Sequence, residues 1–344
     1  MMDYYFLLIP LIGVLSFGLT LYLRHYALHQ KLLDVPNSRS SHSVPTPRGG
    51  GVAFVLTYLV FLIIAWWFSK IDISILISSA GAGALVAVIG FIDDHRHIAA
   101  RWRLLGHFTA ALLVIAPLGA FPTIVVAGFE FNPGVMGLLL SAVYLVWMLN
   151  LYNFMDGIDG IAAVEAVTTC LGMALLYFTT QHVDLILAPL LLATCVAGFL
   201  VLNFPPAKIF MGDAGSGFLG IVLAGFSLHA AFREPELIWP WLIMMGVFIV
   251  DATFTLLRRL LRGDKVYEAH RSHAYQFASR QVGKHLPVTI CVGLINLFWL
   301  LPIAFSVVRL DLPGLAGVVL AYVPLVLLAI KYHAGALEGA VQEP

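Results

Sequence analysis

Charge is what this sequence has least of: Asp, Glu, Lys and Arg make up only 11% of its 344 residues, against about 25% in soluble proteins. Hydrophobic residues make up 60% and the mean hydropathy is +0.93. That balance excludes a soluble domain and points to an all-α, polytopic membrane protein, because a lipid-exposed backbone must satisfy its own hydrogen bonds. Cysteine is almost as scarce. Cys170, Cys195 and Cys291 stand singly inside apolar runs, which excludes a disulfide framework or a cysteine-ligated metal centre and leaves reduced packing residues. The start, Met1-Met2-Asp3, lacks the basic flank of a cleavable signal, so the first apolar run is expected to stay as a span. There is no repeat of fixed period, no low-complexity tract and no long linker, so residues 1–344 read as one integral membrane domain. Neither a Walker loop nor a dinucleotide fingerprint occurs, which argues against a nucleotide hydrolase or a dehydrogenase. No nucleic-acid partner is expected.

Apolar runs near the length that a bilayer requires fall at about 4–23, 51–68, 73–92, 104–120, 135–152, 161–179, 185–203, 214–231, 237–257, 287–308 and 312–331. Eleven crossings are therefore expected. With the N-terminus outside and the C-terminus inside, the inner segments hold every Lys and Arg except Lys70, Arg233 and Arg309, as the positive-inside rule requires. All of the polar clusters then fall on the cytoplasmic side, so a single active face is expected there.

The polar clusters carry the chemistry. In Asn150-Leu-Tyr-Asn-Phe-Met-Asp-Gly-Ile-Asp-Gly160 four polar side chains, Asn150, Asn153, Asp156 and Asp159, recur at threes between apolar runs. This reads either as an Asp-capped helix start or as a place where carboxylates gather. Asp93 and Asp94 end the third run, where they repel each other and the negative end of the helix dipole. Arg96, Arg101 and Arg103 offer compensation by ion pairing, and a Mg²⁺ ion held by one or two carboxylates plus substrate phosphates offers another. In Asn203-Phe-Pro-Pro-Ala-Lys-Ile-Phe-Met-Gly-Asp-Ala-Gly-Ser-Gly217 the proline pair ends one helix before Asp213 opens the next. Asp213 fits an N-cap, and the surrounding glycines and exposed amides also suit a phosphate. The Pro/Ser/Gly-rich loop from Asp34 to Gly51 holds His42 and Arg48, with Arg48 placed to grip a phosphate. His270-Arg271-Ser-His273 sits in the longest inner loop and lacks the further partners that zinc needs, which favours substrate contact. Asp251 reads as the one carboxylate well inside a span, in need of a partner. His107 and His229, near span ends, read as satisfied interfacial residues.

Taken in order, DVPNSRSSHSVPTPRGGG, FIDD, NLYNFMDGIDG, NFPPAKIFMGDAGSG and EAHRSHAYQ resemble the polyprenyl-phosphate N-acetylhexosamine-1-phosphate transferases of glycosyltransferase family 4. That superfamily includes phospho-MurNAc-pentapeptide transferase. The resemblance implies transfer of a sugar 1-phosphate from a UDP-sugar to undecaprenyl phosphate, releasing UMP, with Mg²⁺ or alternatively Mn²⁺ at the cytoplasmic face of a bacterial inner membrane. Carried over by position, Asp93 and Asp94 match the paired aspartates, one of them a proposed base for the lipid phosphate. Asp213 matches the principal metal ligand, with Asp94 beside it. Asn150, Asn153, Asp156 and Asp159 match the nucleotide-side motif, Asn203 the asparagine ahead of the metal aspartate, and His270, Arg271 and His273 the histidine loop. His42 and Arg48 are expected to contact substrate; the oligomeric state stays open, a homodimer being one of the assemblies compatible with the sequence.

The His-Arg-Ser-His pattern departs from the contiguous histidines of the MurNAc-pentapeptide branch. A simple UDP-N-acetylhexosamine donor is therefore expected, initiating O-antigen or another surface polysaccharide. The rival within the superfamily is the pentapeptide transferase; the rival of another class is an ion-coupled secondary transporter, which needs carboxylates at the bilayer midplane.

Overall fold

The computed structural model describes residues 8–36, 44–96, 98–119, 121–126, 129–265 and 270–337. Its long helices are α1 (Ile9–His29), α2 (Gly51–Trp67), α3 (Ile73–His95), α4 (Ala100–Leu118), α5 (Met136–Phe154), α6 (Ile161–Thr179), α7 (Leu187–Asn203) and α8 (Asp213–Arg233), followed by α9 (Ile238–Met244), α10 (Gly246–Arg262), α11 (Ala274–Val282), α12 (His285–Arg309) and α13 (Gly314–Lys331). The chain is an all-α, multi-pass membrane protein. Helices cover most of the described part of each expected apolar run, but among the described residues eight helices, not eleven, qualify as spans by length and composition, or nine if the bent pair α9–α10 is one crossing. Gly51–Trp67 is apolar but shorter, and α4 opens with Arg101 and Arg103.

Two small features fall outside the all-helical expectation. The antiparallel pair β1 (Leu33–Asp34) and β2 (Thr46–Pro47) closes the first loop, and β3 (Ile124–Val126) pairs with β4 (Phe129–Phe131). Proline at 47 ends the first ladder, since it has no N–H to donate.

The bundle is built around α8. Nearly all of this helix is buried, 94% of its most apolar window, and it is rich in Gly, Ala and Ser. Small side chains let neighbouring backbones approach, which is how helices associate where lipid supplies no hydrophobic drive. Helices α3 and α5 use this most. The buried core runs without a break from Ile12 on α1 to Leu325 on α13.

Two helix interiors carry polar groups for structural reasons. Glu165 on α6 is fully buried and accepts a hydrogen bond from Asn296 Nδ2 at 2.7 Å, where α12 passes through a π-helical turn over Asn296–Leu300. Asp251 is therefore not the only carboxylate inside a helical run: Glu165 was missed because a single acidic residue in an apolar helix has no sequence partner to announce it. His229 behaves as expected, with its Nε2 2.6 Å from Ser78 Oγ.

A 74° bend separates α9 from α10. The long loop expected after α10 is partly helix: α10 runs on to Arg262, α11 covers Ala274–Val282 and α12 begins at His285.

Candidate active site

Two loops far apart in sequence are clipped together by backbone hydrogen bonds. Phe210 N donates to Pro47 O at 2.8 Å, Gly50 N to Phe210 O at 2.9 Å and Gly51 N to Met211 O at 2.9 Å. This clip sets Arg48 beside the start of α8. One guanidinium nitrogen of Arg48, Nη2, lies 2.8 Å from Asp213 Oδ1 and 2.8 Å from Asp94 Oδ1.

The approach of Asp94 to Asp213 depends on two glycines. A Cβ at Gly90 would stand 2.5 Å from the carbonyl carbon and oxygen of Asp213, so only glycine lets α3 slide against the first turn of α8. Gly212 has φ +78°, and a Cβ there would meet Asp94 Oδ2 at 2.6 Å. With both in place, Asp213 N donates to Asp94 Oδ1 at 3.2 Å. Asp94 therefore satisfies an open amide at the start of α8, the end of the helix that favours negative charge. Its other oxygen, Oδ2, is buried without a hydrogen-bond partner.

Asp93 and Asp94, adjacent in sequence, part company. Asp93 Oδ1 accepts Ile98 N at 2.7 Å, and its Oδ2 accepts Arg103 Nη1 at 2.6 Å. Of the three arginines expected to compensate this pair, Arg103 does so, while Arg101 lies over the Trp102 ring. Arg48, from the first loop, neutralises Asp94.

A cleft of about 420 Å³ opens beside this cluster, lined among others by Asp93, Arg103, His107, Asn150, Asn153, Asp213, His270 and His273. Asp93, Asn150, Asn153, Asp213, His270 and His273, six of the residues expected to act in the site, thus line one space. Asn153 Oδ1 accepts from Ser216 Oγ at 2.7 Å, which ties α5 to α8. Asn150 Nδ2 donates to Val146 O at 2.7 Å. The histidine loop is positioned by Asp251, whose Oδ1 accepts Ala274 N at 2.9 Å and whose Oδ2 accepts Tyr275 N at 3.0 Å. The same carboxylate lies 3.3 Å from His273 Nδ1. The ring of His270 then stacks on that of His273 with centroids 5.0 Å apart.

His107 corrects an expectation. It lines the cleft, and its Nδ1 is buried with no partner, so it is not a satisfied interfacial residue. Its position one turn after Arg103 was the available signal, since i and i+4 share a helix face.

Asp159 goes elsewhere. Its Oδ2 accepts Ala207 N at 3.0 Å and its Oδ1 lies 3.2 Å from His285 Nδ1. It lines a second cavity of about 460 Å³ with Thr46, Pro205, Phe210, Lys284 and His285. Asp156, in the turn between α5 and α6, lines neither cavity. Burial, reinforced by the negative charges of Asp213, Asp94 and Asp159, pushes its carboxyl well above the usual range. Arg48 is raised in the opposite sense for a cation: burial works against its charge, but Asp94, Asp213, Asp34 and Asp156 together outweigh it.

Asn203 is buried and braces the loop by donating from Nδ2 to Ile209 O at 3.0 Å. Arg271 does not line the cleft; its carbonyl accepts from Arg280. His42 lies outside the described residues.

As a metal site, the cluster supplies two converging carboxylates, Asp94 and Asp213, and the unpartnered Asp94 Oδ2. No group of three or more His, Cys, Asp or Glu with metal-binding geometry occurs among the described residues. Such a donor set does not fit zinc, but it fits Mg²⁺ completed by substrate phosphates.

Residues 76–231 match the sequence model of glycosyl transferase family 4. The chain is 27% identical over 248 residues to the probable undecaprenyl-phosphate N-acetylglucosaminyl 1-phosphate transferase of Bacillus subtilis, covering 71% of this chain and 68% of that protein. It is 28% identical over 289 residues to the undecaprenyl-phosphate alpha-N-acetylglucosaminyl 1-phosphate transferase of Thermotoga maritima, covering 84% of this chain and 87% of the relative. The phospho-N-acetylmuramoyl-pentapeptide-transferase of Lactococcus lactis is 27% identical over 267 residues, with 73% and 78% covered. The matched residues, 76–231, contain both helix junctions at which Asp94 and Asp213 meet, so the likeness to glycosyl transferase family 4 falls on the part of the chain that builds the carboxylate pair.

Proposed function

We propose that the protein transfers N-acetylhexosamine 1-phosphate from a UDP-sugar to undecaprenyl phosphate, giving the lipid diphosphosugar and UMP. The observation that carries this reading is the cleft itself: carboxylates, amides, an arginine and imidazoles from α3, α4, α5, α8 and the histidine loop face one space, beside a carboxylate pair suited to a divalent ion.

The acceptor phosphate enters on the side of Arg103 and His107. One of its oxygens attacks the sugar-bearing β-phosphorus; the bond from that phosphorus to the bridging oxygen breaks, and UMP departs. Asp94 and Asp213 would hold a Mg²⁺ ion, which would supply charge neutralisation to the diphosphate. Both oxygens of Asp93 are already hydrogen-bonded, so its role is to orient Arg103 toward the acceptor. A phosphate monoester, with a second pKa near 6, is already largely dianionic at neutral pH and needs little help to lose its proton. His270 and His273 contact the donor, and the nucleotide lies toward the cavity that Asp159 borders.

The positive-inside distribution supports an N-out, C-in orientation with the cleft on the cytoplasmic face of the inner membrane. A simple N-acetylhexosamine donor, used to start O-antigen or a related surface polymer, suits the His-Arg-Ser-His loop better than a peptide-bearing one. The test is UMP release by purified protein given each UDP-sugar with and without undecaprenyl phosphate, the lipid product being weighed by mass spectrometry. Lipid-dependent release with a simple sugar is expected. Use of UDP-MurNAc-pentapeptide alone would transfer the chain to the cell-wall branch, and lipid-independent flux of a solute in vesicles would replace the enzyme reading by transport.

A further inference from the structure

The Asp94–Asp213 pair is already occupied by a cation, and that cation belongs to the protein. Arg48 presents a single nitrogen to both carboxylates at 2.8 Å. The Asp94 side chain retains only 4% of its exposure, whereas that of Arg48 retains 40%. The acid is thus fixed and the base is reachable from solvent. One guanidinium thus answers both Asp94 and Asp213, with Asp34 and Asp156 near the same group. A single arginine leaves this cluster short of positive charge. Asp94 Oδ2, buried and without a partner, marks where the shortfall is greatest.

Arg48 is also mounted to move. The residue that follows it, Gly49, has φ +93° with open space where a Cβ would stand. The backbone clip on either side, at Pro47 and at Gly50–Gly51, does not involve the Arg48 side chain. The guanidinium can therefore leave the carboxylates while the loop stays docked. Its partner Asp213 lines the cleft, so a guanidinium released there is next to that space, and its planar fork suits a diphosphate.

We propose that Arg48 is a placeholder cation: it holds Asp94 and Asp213 together in the metal-free protein, is displaced from them by the divalent ion, and then binds the donor diphosphate. This deepens the transferase reading, and rests on it for the identity of the diphosphate. It makes Arg48 a positioning residue whose loss has opposite effects on two measurements. Removing an internal competitor tightens metal binding by the reciprocal of the competent fraction, so a bridge closed about nine-tenths of the time yields about a tenfold gain. Removing the phosphate grip weakens donor binding.

The experiment is a titration of the detergent-solubilised full-length protein with Mn²⁺, followed by electron paramagnetic resonance, for wild type, Arg48→Ala, Arg48→Lys and Asp213→Asn. Expected are a Kd for Mn²⁺ about tenfold lower in Arg48→Ala than in wild type, a raised KM for the UDP-sugar in the same variant, and loss of the bound Mn²⁺ signal in Asp213→Asn. Arg48→Lys keeps a charge but not the planar fork; it guards against a misfolded alanine variant and should fall between wild type and Arg48→Ala in metal affinity. Unchanged or weaker Mn²⁺ binding in both Arg48 variants, with Asp213→Asn still losing the metal, overturns the placeholder and leaves the metal site standing. Wild-type Mn²⁺ binding by Asp213→Asn overturns the metal site and the placeholder together. Lipid-dependent UMP release, measured separately, decides the transferase reading.

Discussion

Asp251 Oδ1 lies 3.3 Å from His273 Nδ1, so a carboxylate inside α10 orients an imidazole at the cleft wall. The same carboxylate caps α11 through Ala274 N and Tyr275 N. One buried charge thus serves a helix end and a functional ring together.

Replacing Asp251 by Ala is expected to cost about 1–2 kcal/mol of stability through the lost cap, and to lower transfer further because His273 loses its orientation. Asp251→Asn keeps an oxygen for the cap and should recover most of the stability. Thermal unfolding and kcat measured on both variants check this: equal activity losses at equal stability would show that Asp251 serves the fold alone.

The divergence of Asp93 and Asp94 makes their variants distinguishable. Mg²⁺ should raise the melting temperature of the wild type, as any ligand of the native state does. Asp94→Asn should lose most of that increment, whereas Asp93→Asn, which breaks only the pair with Arg103, should keep it. Differential scanning fluorimetry with and without Mg²⁺ reads both; a full increment in Asp94→Asn places the ion elsewhere.

Asp213→Asn is expected to abolish transfer while leaving a folded protein, because the charge that it supplies to the transition state is lost. Size-exclusion behaviour and UMP release test this together. Wild-type turnover in the variant, or full activity of wild type in excess chelator, would sink the metal assignment.

Gly90→Ala adds one methyl group and removes no polar or charged atom. Its Cβ would meet the Asp213 carbonyl at 2.5 Å, forcing α3 and α8 apart, a strain of about 1–3 kcal/mol. Activity should fall well beyond what the loss of stability explains, since about 1 Å of misplacement at a reacting centre costs on the order of a hundredfold. A variant with normal kcat would show that the Asp94–Asp213 spacing is not critical.

Glu165 lies outside the cleft, and its variants should be silent in chemistry. Glu165→Ala removes one of the two acceptors of Asn296 Nδ2, which keeps Thr168 Oγ1 at 2.8 Å, a loss of about 1 kcal/mol, with KM for donor and acceptor unchanged. Altered donor ranking in this variant would be evidence for a role that the geometry does not suggest.

Composition and patterning determined the class of this protein. Apolar runs of bilayer length, separated by Gly, Pro and charged residues, admit few arrangements other than a helical membrane bundle, and the polar motifs contain Asp93, Asn150, Asn153, Asp213, His270 and His273, six of the residues that line the cleft. Partnership was beyond their reach. Asp93 and Asp94 are neighbours in sequence, yet their side chains leave a helix about 100° apart, and which cation each meets depends on which loop docks beside it. Arg48 reaches Asp213 across the fold only because the backbone clip joins residues 47–51 to 210–211. Asp159 sits in the same motif as Asn153 and turns to another cavity, because the chain reverses between α5 and α6. Glu165 and His107 carried no motif at all. Burial made them matter, and burial is a property of neighbours brought together by helix packing, which a pattern along one chain does not record.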